Sequence, residues 1–383
     1  MKIAIYGQTL QADTLVKIFS RYGHHVHWCC DDVKDVSHDL DCYIFCYAPS
    51  EKEKAYKIVN QLVNHHGEGR LMINGSTFGL HGTAELQAML PNDHWAYLPD
   101  TIQEGNAIGS FVNAKQAIVG LETDGAKVLI KELLRPMFPL EHQILFMPIL
   151  DAEFAKLSIS GMLATRISYM NDLANVAEKL GVDILNVKQG MAADSRIGST
   201  YLSPGVGFGG ENFSQDILTL SSEVSKTGTK SRLLEQVWSI NEDQKEILFR
   251  KLWNYYQTDL KGKKIAIWGA AFKENTASTH NSPVHKMIQA LLAQGVHIQL
   301  FDPEANSAIQ MMYGDSVHIV KNEYDTLKDA DALCLLTAWQ QFYNPDYSLM
   351  KTLMNHPLIL DGRNIYDPEY MRHQGFIYEG IGR

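Results

Sequence analysis

Sixteen residues near the middle of the chain, Tyr201 to Asp216, read Y-L-S-P-G-V-G-F-G-G-E-N-F-S-Q-D. Gly205, Gly207, Gly209 and Gly210 fall within six positions. Glycine reaches positive φ at little cost and lets backbone amides approach a ligand, so the stretch suits contact with phosphate or another polar group. Val206 and Phe208 alternate with the glycines, which predicts a packed, shaped loop; a flexible surface loop is the plainer alternative. The next two side chains limit the chemistry. Glu211 is a carboxylate able to act as base or nucleophile, or simply a solvated loop residue. Asn212 carries no ionisable nucleophile.

A second glycine turn lies at the start of the chain. Lys2 to Tyr6 reads as a buried parallel strand running into Gly7. Leu10 to Tyr22 has helical spacing with Gly23 as its stop, and Val26 to Cys30 reads as the next strand, leading to Asp31 and Asp32. This is a βαβ unit with an acidic residue roughly 20 residues past the turn, the layout for dinucleotide binding. Gly7 and Ala12 occupy the first and third positions of G-x-G-x-x-G/A, but Thr9 occupies the second. The middle glycine lets the backbone approach a pyrophosphate, so a Cβ and a hydroxyl there hinder it. A layer kept for its fold, with poor or no cofactor binding, stands beside the functional reading.

The elements that must position these residues form three segments. Strands at Cys42–Tyr47 and Leu71–Asn74 extend the first layer, and Gly75-Ser76-Thr77 follows the latter. A helix from Asp151, as its N-cap, to Leu180, with Gly181 at its C-terminal stop, carries Ala155, Ile159, Met162, Leu163, Ile167 and Met170 at helical spacing. Lys156 and Ser160 lie four apart and share a face of it; a helical lysine is most often a solvated charge. A further helix is expected over Ser231–Tyr256. Beyond Gly262, the strands Lys264–Gly269, Val296–Asp302 and Ala332–Thr337 predict a second doubly wound layer.

Bulk properties narrow the class. The 383 residues suffice for two or three domains. A formal net charge of −10 argues against nucleic acid as a general partner. Cys29, Cys30, Cys42, Cys46 and Cys334 show no C-x-x-C pair or metal spacing, and the expectation is buried thiols in a reducing compartment. Without a basic-then-apolar leader or an apolar run near the ~20 residues that span a bilayer, the expectation is a cytoplasmic protein.

The central stretch resembles the F-L-x-x-G-x-G-F-G-G-S-C-F-x-K-D loop of the UDP-glucose/GDP-mannose dehydrogenase family, with Glu211-Asn212 for Ser-Cys and Gln215 for Lys. Ser76-Thr77 resembles the start of S-T-V-x-x-G-T, and Leu98 to Gly105 resembles N-P-E-F-L-x-E-G, with Asp100 for the glutamate. A-E-F-A-K at Ala152–Lys156 is similar to A-E-x-x-K, with Ser160 where the family has asparagine. Arg196-Ile197-Gly198, Ala271 to Thr276 with Ser282-Pro283, Thr337-Ala338-Trp339 and Leu360 to Asn364 continue the likeness in order. His280 stands for the family's cofactor-contacting arginine.

The resemblance implies two Rossmann-like α/β domains, residues 1–148 and 259–383, joined by a central helical segment at 149–258 that builds a dimer. It implies two-step oxidation of a sugar primary alcohol with two NAD molecules, a cysteine holding the aldehyde and acyl stages. Catalytic positions are then Lys156, Asp216, Thr77, Asp100 and Asn212, the last at the cysteine's place. NAD contacts are Gly7, Thr9, Ala12, Asp31 and Thr77. Nucleotide-sugar contacts are Lys156, Ser160, Arg196, Tyr201, Gly207, Gly209, Lys273 and Arg363, Arg196 because a guanidinium matches a diphosphate. No metal is implied. The losses (Asn212, Thr9, Gln215, His280) fall on thiol and cofactor, while the nucleotide-sugar side is largely retained. Three readings follow: a nucleotide-sugar-binding pseudoenzyme, alone or as partner of an active relative; an enzyme of altered chemistry; and the family reaction by another route.

Overall fold

The computed structural model describes residues 1–30, 40–63 and 69–383, so Asp31 and Asp32 lie outside the described residues. The chain forms two compact units, residues 1–160 with 218–229, and residues 161–217 with 230–383.

The first unit is built on a seven-stranded sheet: β1 (Lys2–Tyr6), β2 (His25–Cys30), β3 (Cys42–Phe45), β4 (Leu71–Asn74), β5 (His94–Tyr97), β6 (Ala117–Leu121) and β7 (Ile144–Met147). The order is β2-β1-β3-β4-β5-β6-β7, parallel except where β6 runs against β5. The inner strands are buried on both faces, hence their continuous apolar runs. Ile3, Ile5 and Ile44 pack under the helix Leu10–Arg21, whereas Tyr6, Phe45 and Trp95 face Ile58 and Val59 of the helix Lys52–Leu62. The first βαβ unit is thus as expected from sequence.

The second unit carries a six-stranded, wholly parallel sheet: β8 (Lys264–Trp268), β9 (His297–Phe301), β10 (His318–Ile319), β11 (Ala332–Leu335), β12 (Leu358–Asp361) and β13 (Ile377–Glu379). Its order is β10-β9-β8-β11-β12-β13. Strand order reverses between β8 and β11, so the crevice beyond their carboxyl ends is where such a sheet takes a ligand.

Two helix expectations are corrected. The long helix runs Ile149–Leu180, placing Asp151 inside its first turn. The carboxylate that accepts the first free amide is Glu122, 2.9 Å from the Ile149 N, so a tertiary partner does the work of an N-cap. Gly181, at φ +68°, follows its end. The expected helix Ser231–Tyr256 is two, Arg232–Gln244 and Ile247–Tyr255. At the joint the Asp243 carbonyl is taken by the Arg250 guanidinium at 2.5 Å, which stabilises the break in the i→i−4 ladder.

Candidate functional site

The glycine stretch is a built loop, and the flexible-loop alternative fails. Leu202 and every residue from Pro204 to Gly210 are buried. Buried backbone polar groups need partners, and three side-chain amides supply them. Asn171 Oδ1 accepts from the Gly205 N at 2.8 Å, and Gln244 Nε2 donates to the Gly205 O at 2.7 Å. Asn241 closes a two-bond ring on Phe208, accepting from its N at 2.7 Å and donating to its O at 3.2 Å. Phe208 then packs on Ala164, Ile217 and Val237. These amides escaped sequence reasoning; their only trace is a polar residue recurring on an otherwise apolar helical face.

Glycine is obligatory at 209 for steric reasons, since a Cβ there lies 2.6 Å from the Asn281 O. The Gly210 N donates to the His280 O at 2.8 Å. Segment 277–281, where the chain departs from the family pattern, is therefore docked on the loop through His280 and Asn281. Asn281 Nδ2 donates to Ser214 Oγ at 2.8 Å, and its Oδ1 accepts from Lys245 Nζ at 2.7 Å. Lys245 is buried and ion-paired with Glu242 at 2.6 Å. Burial lowers its pKa, offset in part by Glu242. His280 itself is exposed.

Past the loop, helix Glu211–Lys226 starts at once. Glu211 is therefore helical rather than a loop carboxylate; like Asn212 and Gln215 it is exposed, while Asp216 is buried at 2% exposure. Position 212 thus sits in the first turn of a helix, where the free backbone N–H groups favour an anion and would assist a thiolate; an asparagine gains nothing of that kind. In the second unit the only cysteine is Cys334, on β11 in the core, its thiol pushed up by burial.

Two of the nucleotide-sugar candidates, Lys273 and Arg363, lie beyond the carboxyl ends of β8 and β12. Arg363 Nε donates to the Leu336 O at 2.6 Å and its Nη2 to the Phe272 O at 3.2 Å, while its N donates to Asp361 Oδ1 at 2.9 Å. Its Nη1 lies 3.3 Å from where a Cβ on Gly205 would stand, so Arg363 meets the glycine loop. Lys273 Nζ lies 5.7 Å from the centroid of the Phe272 ring, which also lines Gly210. Arg196 is elsewhere, 87% exposed and held by Asp194 at 2.6 Å. Tyr201 is exposed at φ +58°.

The first unit holds the remaining candidates. Lys156 and Ser160 are both buried, at 9% and 4% exposure, so the solvated-lysine alternative is set aside. Three residues before Lys156, the buried Glu153 accepts from the His81 N at 2.7 Å and the Thr83 N at 2.8 Å. That ties the loop carrying the half-buried Thr77 to the long helix. Asp100 Oδ1 accepts from the Ile102 N at 3.1 Å, as a turn residue does. A cleft of about 360 Å³ opens nearby between Leu80, His81, Leu150, Asp151, Phe154 and Ala155, and none of the candidate site residues lines it.

The turn after β1 tests the fit of a dinucleotide. Gly7 is at φ +105°, with a Cβ position 2.0 Å from the Cys46 O, so no other residue fits. Thr9 caps the following helix: Oγ1 accepts from the Ala12 N at 3.2 Å and donates to the Cys46 O at 3.0 Å. The groups a pyrophosphate would meet are already bonded to one another, and the fit is poor. Among the described residues no cluster of His, Cys, Asp or Glu could hold a metal, and no helix is long and apolar enough to cross a membrane.

Two α/β units, one sheet wholly and the other mainly parallel, with a 32-residue helix running from the first into the second, define a fold seen in sugar-nucleotide dehydrogenases. A UDP-glucose dehydrogenase of Pyrobaculum islandicum superposes with a TM-score of 0.87 at 21% identity, over 100% of this chain and 97% of that one. A UDP-D-ManNAc dehydrogenase of Pyrococcus horikoshii gives 0.82 at 20%, over 100% and 99%. Residues 150–243 match the central domain, and residues 266–368 the UDP binding domain, of the UDP-glucose/GDP-mannose dehydrogenase family. The chain belongs to that family. It is 36% identical over 290 residues to a UDP-glucose 6-dehydrogenase of Pseudomonas aeruginosa, covering 74% of this chain and 64% of that protein. To the UDP-glucose 6-dehydrogenase TuaD of Bacillus subtilis it is 34% identical over 285 residues, covering 74% and 61%. The chain thus spans less than two thirds of the length of these relatives.

Proposed function

We propose that this protein binds a UDP-sugar, chiefly through residues 259–383 and the glycine loop, and has lost the thiol-dependent four-electron oxidation. The observation that carries this is the side chain at 212. The loop is fully buttressed up to Gly210, yet the helix then opens with an amide in place of a sulfur. An amide forms neither a thiohemiacetal nor a thioester, so an aldehyde would have no covalent anchor. NAD use is impaired independently, because Thr9, Gln215 and His280 stand where cofactor contacts belong. In functional terms the chain divides as 1–148, 149–258 and 259–383, a pseudoenzyme or partner subunit of an active relative in cytoplasmic polysaccharide precursor synthesis.

A second reading draws on the burial of Lys156 and Asp216. Such groups can stabilise an oxyanion or move a proton, which suits a single two-electron oxidation or a cofactor-independent step on the same ligand. The family likeness gives Thr77 and Asp100 water-ordering and acid-base roles in such a step, and Arg196 would reach a nucleotide sugar held by a second copy. That copy has a surface to meet: Met162, Tyr169, Val176 and Leu180 are exposed apolar residues along one helix.

The test is calorimetric titration with UDP-glucose, UDP-N-acetylhexosamines and GDP-mannose, with NADH formation followed in parallel. UDP-sugar binding with no NADH is expected. Steady NADH production with uronic acid as product overturns the proposal; NADH with an aldehyde product favours the second reading.

A further inference from the structure

We propose that Trp28, acting with Thr9, closes the first glycine turn to the diphosphate of a dinucleotide; this deepens the proposed function by naming what excludes NAD, and rests on the family site just described. Trp28 lies on β2 beside Ile5 of β1, two residues short of the turn. Its indole Nε1–H donates to the Gly7 O at 2.8 Å, and the residue remains 43% exposed. A large, partly exposed ring is therefore fixed against the turn at Gly7, and it is this bulk that a diphosphate approaching the turn would have to displace.

Thr9 completes the closure electrostatically. A hydroxyl has one proton, and here it is committed to the Cys46 O at 3.0 Å. Towards an anion the Thr9 oxygen offers only a lone pair. The Ala12 N–H, which would otherwise point from the helix start at a phosphate, is already bonded to that oxygen at 3.2 Å. Bulk, a spent donor and a lone pair thus act together where glycine would leave an open backbone. Trp28 and Thr9 belong to the first unit, and Arg363 and residues 201–210 of the glycine loop to the second, so nucleotide-sugar binding is separable from this closure.

The experiment titrates NADH, followed by its own fluorescence, into the wild type, Trp28→Ala, Trp28→Phe, Thr9→Gly and the Trp28→Ala/Thr9→Gly pair, each also titrated with a UDP-sugar. The wild type is expected to show no saturable NADH binding below millimolar concentration. The pair should gain at least about tenfold, or ~1.4 kcal/mol, with Trp28→Ala alone giving part of it and Trp28→Phe, which keeps the bulk, giving less. UDP-sugar affinity should be unchanged throughout. Micromolar NADH binding by the wild type overturns the closure, as does a pair that retains UDP-sugar binding and gains nothing. If the pair is too unstable, Trp28→Ala against Trp28→Phe decides by the same criterion. Loss of UDP-sugar binding in the wild type would sink the proposed function instead and leave the NADH comparison standing.

Discussion

At the scale of the single residue, the account turns on asparagine at 212 and on amides that hold the loop before it. Asn212→Cys returns a thiol to the first turn of a helix, yet should not restore uronic acid formation, because Thr9 and His280 remain. Full activity in that single variant, read as NADH released per UDP-sugar, would refute a multi-site loss. Asn241 is fully buried and bonded to both backbone groups of Phe208. Asn241→Ala leaves two buried groups unpaired, so urea unfolding should show a loss of about 2–4 kcal/mol, with UDP-sugar affinity falling alongside. The sequence made the glycines and their neighbours legible, since Gly, Val and Phe alternate in plain view. It hid Asn171, Asn241 and Gln244, because a buried amide is recognisable only by what lies opposite it, and these partners are over thirty residues away.

At the scale of the element, most strands were readable because parallel strands buried on both faces are continuous apolar runs. The helix ends were not, where tertiary groups replace local caps: Glu122 starts the long helix and Arg250 stabilises the break after Gln244. The motif marks Lys156 as a candidate, but its burial is hidden from the sequence for a related reason. Helical spacing gives a residue's face but not what covers it. A different element-level contact yields a pH prediction. Lys52 Nζ lies 2.6 Å from Glu85 Oε2, and the Tyr56 hydroxyl donates to the same carboxylate, joining helix Lys52–Leu62 to helix Gly82–Gln87. Hydrogen bonds from Lys52 and then Tyr56 hold the Glu85 carboxyl below its usual range. A depressed folded pKa means stabilisation that is complete above the unfolded value of about 4.3 and lost as pH falls through the folded one. Glu85→Gln should therefore be less stable at neutral pH, by under ~1 kcal/mol for so exposed a pair, and converge with the wild type only in acid below the depressed folded value. A gap that persists in acid would assign the contact to packing.

At the scale of the whole molecule, each unit is a doubly wound sheet with its own core, and the two differ in what their turns retain. The second unit brings Arg363, Phe272 and the glycine loop together at its switch point, whereas the first spends its turn on internal bonds. The exposed apolar row Met162, Tyr169, Val176 and Leu180 predicts self-association. Tyr169→Glu with Val176→Glu should shift light-scattering mass from dimer to monomer without lowering the helical signal; an unchanged mass would place any dimer contact elsewhere. The most direct test of the central claim is to mix purified protein, NAD and the UDP-sugar it binds best, and to assay both NADH and uronic acid. Saturable UDP-sugar binding with neither product formed is expected. Two NADH per uronic acid, sustained over many turnovers, would contradict it.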